Sequence, residues 1–513
     1  MPTILNFKDI VDLPKWRMLA TPTTLSNGFI LSDFRNNEDR HPAIFNINRP
    51  SGSNNIDAYY VKNDEWIFIN GIGQATSPAA ATIMPCQGPR GTITTTGSNS
   101  SFTLSTALPA TVGVNQLANR GDGRGFKVRI IGNSAGGSGK TEERLIVANT
   151  SGTTPTINVN TAFSFIPATG DAYEFLSGRL FIFDTTWNYY DILTNSFSAN
   201  LSTTGGPSVG ATNDIFELDE LYVPYDRSPG DGFKGLLTAT ASGAASITGQ
   251  AVGGDANVVT NEHRNFQIRI VNDIGTPTAS GQRRNITSHT AGPSPVYTVA
   301  AWAVQPSATA QYVIENNSDK ILFWTSSNAN TYTYSISGNT WDTNVTFGAR
   351  PSALSTGAPY ARQSFSIEPD IALNSRHSFV FSPRGNGNVI DLLDIAGGAA
   401  GLWTSSITYA NGTNVQFGGV STGSCFSTQD PATMQGRYMY MFPSNYTNRL
   451  YRFDMQNRVL EAYANNKLPA TAFNAYRPGY TVYVDGNIKL SFIVCLCQTS
   501  VLGLLTMGVP VSR

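Results

Sequence analysis

A nine-residue segment of this chain occurs twice, 140 residues apart, and no other feature limits the fold as tightly. Gly125-Phe126-Lys127-Val128-Arg129-Ile130-Ile131-Gly132-Asn133 returns as Asn265-Phe266-Gln267-Ile268-Arg269-Ile270-Val271-Asn272-Asp273. At the same offset Arg144, Ile146 and Thr150 match Arg284, Ile286 and Thr290. Val159, Pro167 and Tyr173 match Val299, Pro306 and Tyr312 within one residue of it. Upstream, Gly91-Thr92-Ile93-Thr94 aligns with Gly235-Leu236-Leu237-Thr238. Matches in register over such a length mark a repeated structural unit. Two homologous units are therefore expected, at 88–177 and 232–317.

Inside and outside the units, apolar and polar residues alternate in short runs bounded by Gly, Asn, Pro and Ser. Thr156-Ile157-Asn158-Val159 and Thr481-Val482-Tyr483-Val484 are examples. Such alternation, with period two, is the mark of half-buried strands. Only Ile4–Leu13 reads as a short helix, so the expected class is all-β. Composition agrees: Asp, Glu, Lys and Arg make up 13% of the chain, against about 25% in ordinary domains. With 27 Phe, 21 Tyr and 7 Trp, the chain is too aromatic to be disordered. It is too poor in charge for a coiled coil. Basic and acidic residues balance to a net charge of −1, which provides no field to recruit nucleic acid or an anionic membrane. The uncharged run from Leu490 to Val509 is long enough to span a bilayer. Its Ser491, Gln498, Thr499, Ser500, Gly503, Thr506 and Gly508 favour two strands around a turn near 498–500 instead.

Around the units stand apolar strands, each followed by a turn and an aromatic strand. Arg179-Leu180-Phe181-Ile182-Phe183 precedes Trp187-Asn188-Tyr189-Tyr190-Asp191, and Lys320-Ile321-Leu322-Phe323-Trp324 precedes Thr331-Tyr332-Thr333-Tyr334. Arg449-Leu450-Tyr451-Arg452-Phe453-Asp454 leads into Asn457-Arg458-Val459-Leu460. A periodic aromatic per hairpin is the cue for a propeller blade. These phrases resemble kelch-type blades, with Gly397-Gly398 and Gly418-Gly419 as candidates for the kelch double glycine. The unit running from Gly281 through Tyr297, Trp302, Pro306 and Tyr312 resembles a small β-module of tailed-bacteriophage structural proteins. Asp12-Leu13-Pro14-Lys15-Trp16-Arg17 and Ser32-Asp33-Phe34-Arg35 resemble the opening of phage virion proteins with kelch-like propellers.

The expected architecture is a β-propeller interrupted by two homologous barrel or sandwich inserts. Residues 1–87 would hold the N-terminal segment and first propeller strands, and 88–177 the first insert. Residues 178–231 would return to the propeller, 232–317 would form the second insert, and 318–513 the remaining blades and closing strands.

Several short patterns resemble chemistry. Ser134-Ala135-Gly136-Gly137-Ser138-Gly139-Lys140-Thr141 looks like a phosphate loop but has Ser134 where the first glycine belongs. A strand is expected after it rather than a helix, and the matching loop of the second unit, Gly275-Thr276-Pro277-Thr278-Ala279-Ser280-Gly281, carries Gln282 and no lysine. Gly132-Asn133-Ser134-Ala135-Gly136 spells a nucleophile elbow, again with no helix to follow and with Ile274 at the matching serine. His41, His263, His289 and His377 show no metal-ligand spacing. Cys495 and Cys497 read as free thiols on one strand face. Carboxylate pairs such as Glu217 with Asp219, and Asp391 with Asp394, read as strand-end residues that hold turns. Ser228-Pro229-Gly230-Asp231-Gly232 has too few oxygens for a calcium loop. Arg129 with Arg269, and Arg144 with Arg284, recur and face either an acid, a phosphate or the strand surface. Trp187, Tyr190, Tyr334, Trp341, Tyr451 and Tyr463 would fill the space between blades or stack on sugars.

No catalytic residue, metal ligand or cofactor site is expected. The resemblance implies a non-enzymatic structural component of a phage particle, a neck or tail nozzle or hub subunit assembling into a ring. Capsid decoration or fibre anchoring is the alternative within that class, and a host-glycan-binding propeller the alternative outside it. Its partners would be copies of itself and other virion proteins of the portal, adaptor, tail or capsid, with passive contact to packaged DNA and no membrane. The opening Met1-Pro2-Thr3-Ile4-Leu5, followed by Lys8, Asp9 and Asp12, does not read as a secretory signal. Assembly into the virion in a host cytoplasm is the corresponding expectation.

Overall fold

Strict alternation sends every second side chain to one face of a strand, and in both repeats that face closes on itself. A computed structural model of the chain describes residues 90–108, 112–118, 126–132, 140–175, 179–183, 186–191, 196–208, 213–218, 237–250, 258–354, 377–384 and 389–397, with the course of further strands named below. The fold is all-β. Among the described residues, short 3-10 turns such as Gln116–Ala118 and Pro277–Ala279 join the strands. The helix expected near Ile4–Leu13 lies outside the described residues.

The first closed barrel uses Arg90–Ser98, Ser101–Leu104, Lys127–Gly132, Lys140–Asn149, Thr156–Val159 and Ala172–Phe175. The second uses Leu237–Gly243, Ser246–Gly249, Gln267–Asn272, Arg283–His289, Val296–Val299 and Gln311–Glu315. With strands counted one to six within each barrel, both close in the order 1-2-5-4-3-6. Val128, Ile130, Ile146, Ile157 and Phe175 fill the first interior. Their counterparts Ile268, Ile270, Ile286, Tyr297 and Ile314 fill the second. The fourth strand carries a bulge at the same place in each, between Ile146 and Ala148 and between Ile286 and Ser288.

The register corrects one detail of the alignment. Thr92 pairs with Ala172 and Thr238 pairs with Gln311, one residue before Tyr173 and Tyr312 respectively. Thr92 therefore matches Thr238, an offset of 146 rather than the 144 read from the sequence. A two-residue slip preserves the inward face of a strand, so hydrophobic pattern alone did not reveal it.

Outside the barrels, the described strands form six four-stranded antiparallel sheets. The first sheet is Ile30–Ser32, Ala43–Asn46, Asn55–Tyr60 and Glu65–Asn70. The second is Thr82–Cys86, Arg179–Phe183, Trp187–Asp191 and Ser196–Phe197, so the first barrel falls in chain order after its first strand. The third is Asn213–Glu217, Lys320–Thr325, Tyr332–Ser335 and Thr340–Thr343, and the second barrel falls after its first strand in the same way. Phe365–Ile367, Phe379–Pro383, Val389–Asp394 and Leu402–Thr408 make the fourth. Cys425–Ser427, Tyr438–Met441, Arg449–Asp454 and Val459–Asn465 make the fifth. The sixth joins Val482–Asp485, Leu490–Cys497 and Val501–Met507 to the early strand Lys15–Met18. The apolar run from Leu490 is thus two paired strands, with Cys495 opposite Gly503 and Cys497 opposite Val501.

The second, third and fourth sheets stack face to face. Phe181, Phe183 and Trp187 of the second meet Ile215, Ile321, Phe323, Tyr332 and Tyr334 of the third. The third sheet's other face, with Phe216, Leu322 and Trp324, meets Val380 and Leu393 of the fourth. Each fully buried side chain of this size contributes roughly 1.5–3 kcal/mol. The stacked faces and the barrel interiors are therefore where stability is concentrated. First strands of neighbouring sheets also touch, Thr82–Cys86 lying against both Ile30–Ser32 and Asn213–Glu217.

Candidate functional site

The chemistry-like patterns resolve into scaffolding where the structure describes them. Lys140 opens a strand that pairs with Lys127–Gly132, so no helix N-terminus faces a phosphate there. Ser134–Gly139 lies outside the described residues. The matching loop of the second barrel is folded around its own carboxylate. Asp273 accepts the backbone N–H of Thr276 at 2.9 Å and that of Ser307 at 2.7 Å. Ile274, at the position of Ser134, stands 84% exposed.

The recurrent arginines divide by role. Arg129 pairs with Glu143 at 2.6 Å and Glu174 at 3.5 Å. Arg269 pairs with Glu315 at 2.7 Å, which also binds Arg283 at 2.8 Å. Burial would raise the Glu315 pKa, but the two guanidiniums overturn that and hold it well below the ordinary carboxylate range. Arg144 lies 5.0 Å from the centre of the Phe163 ring and donates to Ala162 O. Arg284 repeats this over Trp302 at 5.6 Å, donating to Ala301 O. An acid, a carbonyl and an aromatic face thus occupy these groups.

The carboxylate pairs separate. Asp391 binds Arg350 at 2.6 Å and Arg384 at 2.8 Å, whereas Asp394 binds His377 at 2.8 Å. Ser382 beside them donates to Asp214 of the third sheet at 3.1 Å, so the cluster ties two sheets together. Glu217 is buried in a strand, and Asp219 lies outside the described residues, as does Ser228–Gly232. Trp187 and Tyr334 are buried in the stacked faces, whereas Tyr190 is buried on the second sheet's other face, its ring 5.2 Å from that of Phe197. The Trp341 indole N–H donates to Ser202 O at 2.7 Å. The side chains of Tyr451 and Tyr463 lie outside the described residues.

One grouping was not legible as a site. His263, His289 and His377, distant in sequence, meet with Glu262 and Asp394 where the second barrel adjoins the fourth sheet. His263 and His289 stack with ring centres 5.0 Å apart and planes at 23°. Nε2 of His263 lies 3.5 Å from Glu262 Oε1, both side chains being fully buried. His289 accepts the His263 backbone N–H on Nε2 at 2.9 Å, and its Nδ1 lies 2.9 Å from the Thr290 carbonyl. A ring that accepts on one nitrogen and meets a carbonyl with the other is neutral, with its proton on Nδ1. Burial accordingly lowers the His289 pKa to about 4, helped by Arg264 and His377 and opposed by the Thr290 carbonyl. The bond to Asp394 raises that of His377. Across the junction, the Asn265 side-chain amide donates to Ile395 O at 2.8 Å.

The first barrel has the same scaffold without the histidines. Asn115 and Asn261 both take positive φ, 58° and 67°, which a short polar side chain tolerates. Each donates its backbone N–H to the end of the fourth strand, at Asn149 O and His289 O. Each side-chain oxygen accepts the return bond, from Asn149 N at 3.2 Å and His289 N at 2.8 Å. The Leu117 N–H reaches Asn149 Oδ1 at 2.9 Å where the His263 N–H reaches His289 Nε2. Gln116 accepts the Gly113 N–H where Glu262 accepts the Val259 N–H. Gln116, Leu117 and Asn149 have become Glu262, His263 and His289.

No family model matches the sequence, and no curated protein matches it. Among solved structures, a Bacteroides thetaiotaomicron protein of unknown function aligns over 82% of this chain and 97% of its own, at 9% identity and TM-score 0.24. The dihydro-heme d1 dehydrogenase NirN aligns over 97% of this chain and 79% of its own, at 8% identity and TM-score 0.26. The phage phi92 endosialidase aligns over 100% and 61%, at 10% identity and TM-score 0.15. Such values carry no argument. Function rests on this chain's own residues. Among the described residues, no group of three or more His, Cys, Asp or Glu is arranged to hold a metal ion. No helix among them is long and apolar enough to cross a membrane.

Proposed function

We propose that the chain is a six-bladed β-propeller carrying two barrel inserts and serves as a non-enzymatic, ring-forming structural subunit of a phage neck or tail. The observation that carries the propeller reading is closure: the early strand Lys15–Met18 pairs with Val501–Met507 to complete the last sheet. Such pairing joins the two ends of a ring of blades and leaves only short strand edges exposed. The face-to-face stacking of successive sheets, and the contact between their first strands, fit blades arranged around an axis. Each barrel departs after the first strand of a blade and returns to its second, where insertions leave the pairing of the other strands intact.

The phage assignment rests on the resemblance of the opening segment and of the repeated module to tailed-phage virion proteins. Low charge fits the role, because surfaces rich in Ser, Thr and Asn lose less on desolvation when copies pack together than charged ones do. Electron cryomicroscopy of the purified full chain tests this proposal. Closed rings of several copies around an open channel are expected, with propellers as the repeating mass. A monomer at every concentration, or a fold without radial sheets, overturns it.

A further inference from the structure

We infer that the contact between the second barrel and the fourth sheet is an acid-opened latch: protonation of His289 breaks its bond to the His263 N–H and releases the 261–265 loop from the turn at Asp394–Ala396. This inference goes beyond the virion reading and does not depend on it.

The geometry makes the bond proton-sensitive in one direction. His289 Nε2 is an acceptor at 2.9 Å from a backbone N–H, and Nδ1 already faces the Thr290 carbonyl. A second ring proton therefore has only Nε2 to occupy. There it sets N–H against N–H and removes the acceptor from a buried donor. In the first barrel the same donor is held by the Asn149 amide oxygen, which does not titrate. Equivalent loops on equivalent scaffolds thus differ in whether acid reaches them.

Charges around His289 set the sense of the motion. On the barrel stand Glu262, His263 and Arg264, with the Tyr297 ring 5.1 Å from the His289 ring. From the fourth sheet come His377 and Asp394, already hydrogen-bonded to each other. A cation on His289 meets Arg264 and a His377 held protonated by Asp394, and both repel it. Among the neighbouring links across the junction is the amide bond from Asn265 to Ile395 O. Opening the loop lets water reach the new charge, which His289 carries at the end of the barrel strand Arg283–His289.

The sign of the pH dependence follows. His289 titrates near 6.5 when exposed and near 4 in the closed latch. The closed state is fully favoured above about 6.5 and weakens as pH falls toward 4. Two and a half pH units correspond to an opening equilibrium increased by up to about 300-fold.

Hydrogen exchange of the full chain, read by mass spectrometry between pH 7 and 4 and corrected for intrinsic rates, tests the latch. Peptides covering 258–266 and 392–397 are expected to lose protection progressively below pH 6.5. Those covering 112–118 of the first barrel should stay level. His289→Asn, which installs the first barrel's residue, should flatten the pH response at 258–266. The reciprocal Asn149→His should create one at 112–118, and it serves as the decisive variant if His289→Asn fails to fold. Parallel pH courses in the two wild-type loops overturn the inference. So does a His289→Asn protein that loosens in acid as the wild type does, or an Asn149→His protein that gains no acid response.

Discussion

The two barrels share a topology, a bulge and a capping loop, yet they have divided the ionisable residues between them. On the outer face of the first, one base meets two acids: Arg129 lies opposite Glu143 on one neighbouring strand and Glu174 on the other. On the second, Arg269 lies opposite Arg283 and Val313, with Glu315 bridging the two arginines. Counted over these side chains alone, three in each barrel, the first set sums to −1 and the second to +1. The strands that carry them touch, Lys127–Gly132 against Gln267–Asn272, and Val271 and Val313 pack on Ala172 nearby. Equivalent strands facing each other would repel if the units were identical. Divergence to opposite sign lets one duplicated module pair with its copy inside a single chain, a physical reason for both repeats to be kept.

The largest break in that comparison comes from Glu315→Ala. It leaves Arg269 and Arg283 directly opposed with their shared counter-ion gone, and such a loss costs about 3–5 kcal/mol. Glu143→Ala in the first barrel should cost clearly less, because Glu174 still faces Arg129. Denaturant unfolding of the full chain, with exchange to assign the loss to a barrel, measures both. Adding Arg283→Glu to Glu315→Ala restores an acid opposite Arg269, as Glu143 stands opposite Arg129, and should recover most of the loss. Equal costs in the two barrels, or no rescue, would refute the role given to the networks.

Next in size is Gly249→Ala. A Cβ there would stand 2.5 Å from Tyr312 Oη and 2.7 Å from Thr238 O. The ring is pinned by its bond to Gln250 O, so relief by moving the tyrosine is closed off. Overpacking of this kind costs roughly 1–3 kcal/mol. Protection should fall in the second barrel and not in the first. Arg284→Ala should follow at about 1 kcal/mol, because it removes one stacked guanidinium and its carbonyl bonds. Arg144→Ala should cost a little more, because Arg144 also pairs with Glu142 at 2.6 Å. Denaturant unfolding of the two variants measures both, and a larger loss for Arg284→Ala than for Arg144→Ala would refute this ranking.

Strand class was readable because period-two alternation is a local signal, and the aligned repeat marked two similar stretches of chain. Leu490–Cys497 and Val501–Met507 were legible as a hairpin from Gln498 to Ser500 for the same reason. The histidine grouping was not. His263 and His289 are 26 residues apart and His377 lies 88 beyond, so only the pairing of barrel strands and the return of the fourth sheet make them neighbours. The sequence did hold a usable signal. Once Thr92 is matched to Thr238 at offset 146, the same offset carries Gln116 and Leu117 onto Glu262 and His263, while Asn149 falls on His289 at the later offset of 140. The change of offset between strands hides this from a single-offset comparison, because the loop joining the second and third strands differs in length. The stacking of sheets was legible only as aromatic periodicity, since which face of each strand meets which neighbour depends on long-range register.

The smallest expected effect separates the two limbs of the pH response at the second barrel. Asp394 raises the His377 pKa, so His377 contributes stability that is full below about 6.5 and lost as pH rises through its raised value. His289, lowered to about 4, contributes in the opposite sense, with stability full above about 6.5 and lost toward 4. Protection at the junction should therefore peak near pH 6.5 and decline on both sides. The corresponding loop of the first barrel, built on Gln116, Leu117 and Asn149, should show no such peak. His377→Asn should remove the alkaline decline while leaving the acid one, the difference being under about 1 kcal/mol because the pair is partly open to solvent. Exchange of peptides covering 377–384 and 392–397 between pH 6 and 9 reads the alkaline limb directly. An alkaline decline that survives His377→Asn would assign it to another group and leave His289 as the junction's one proton-sensitive histidine of those named.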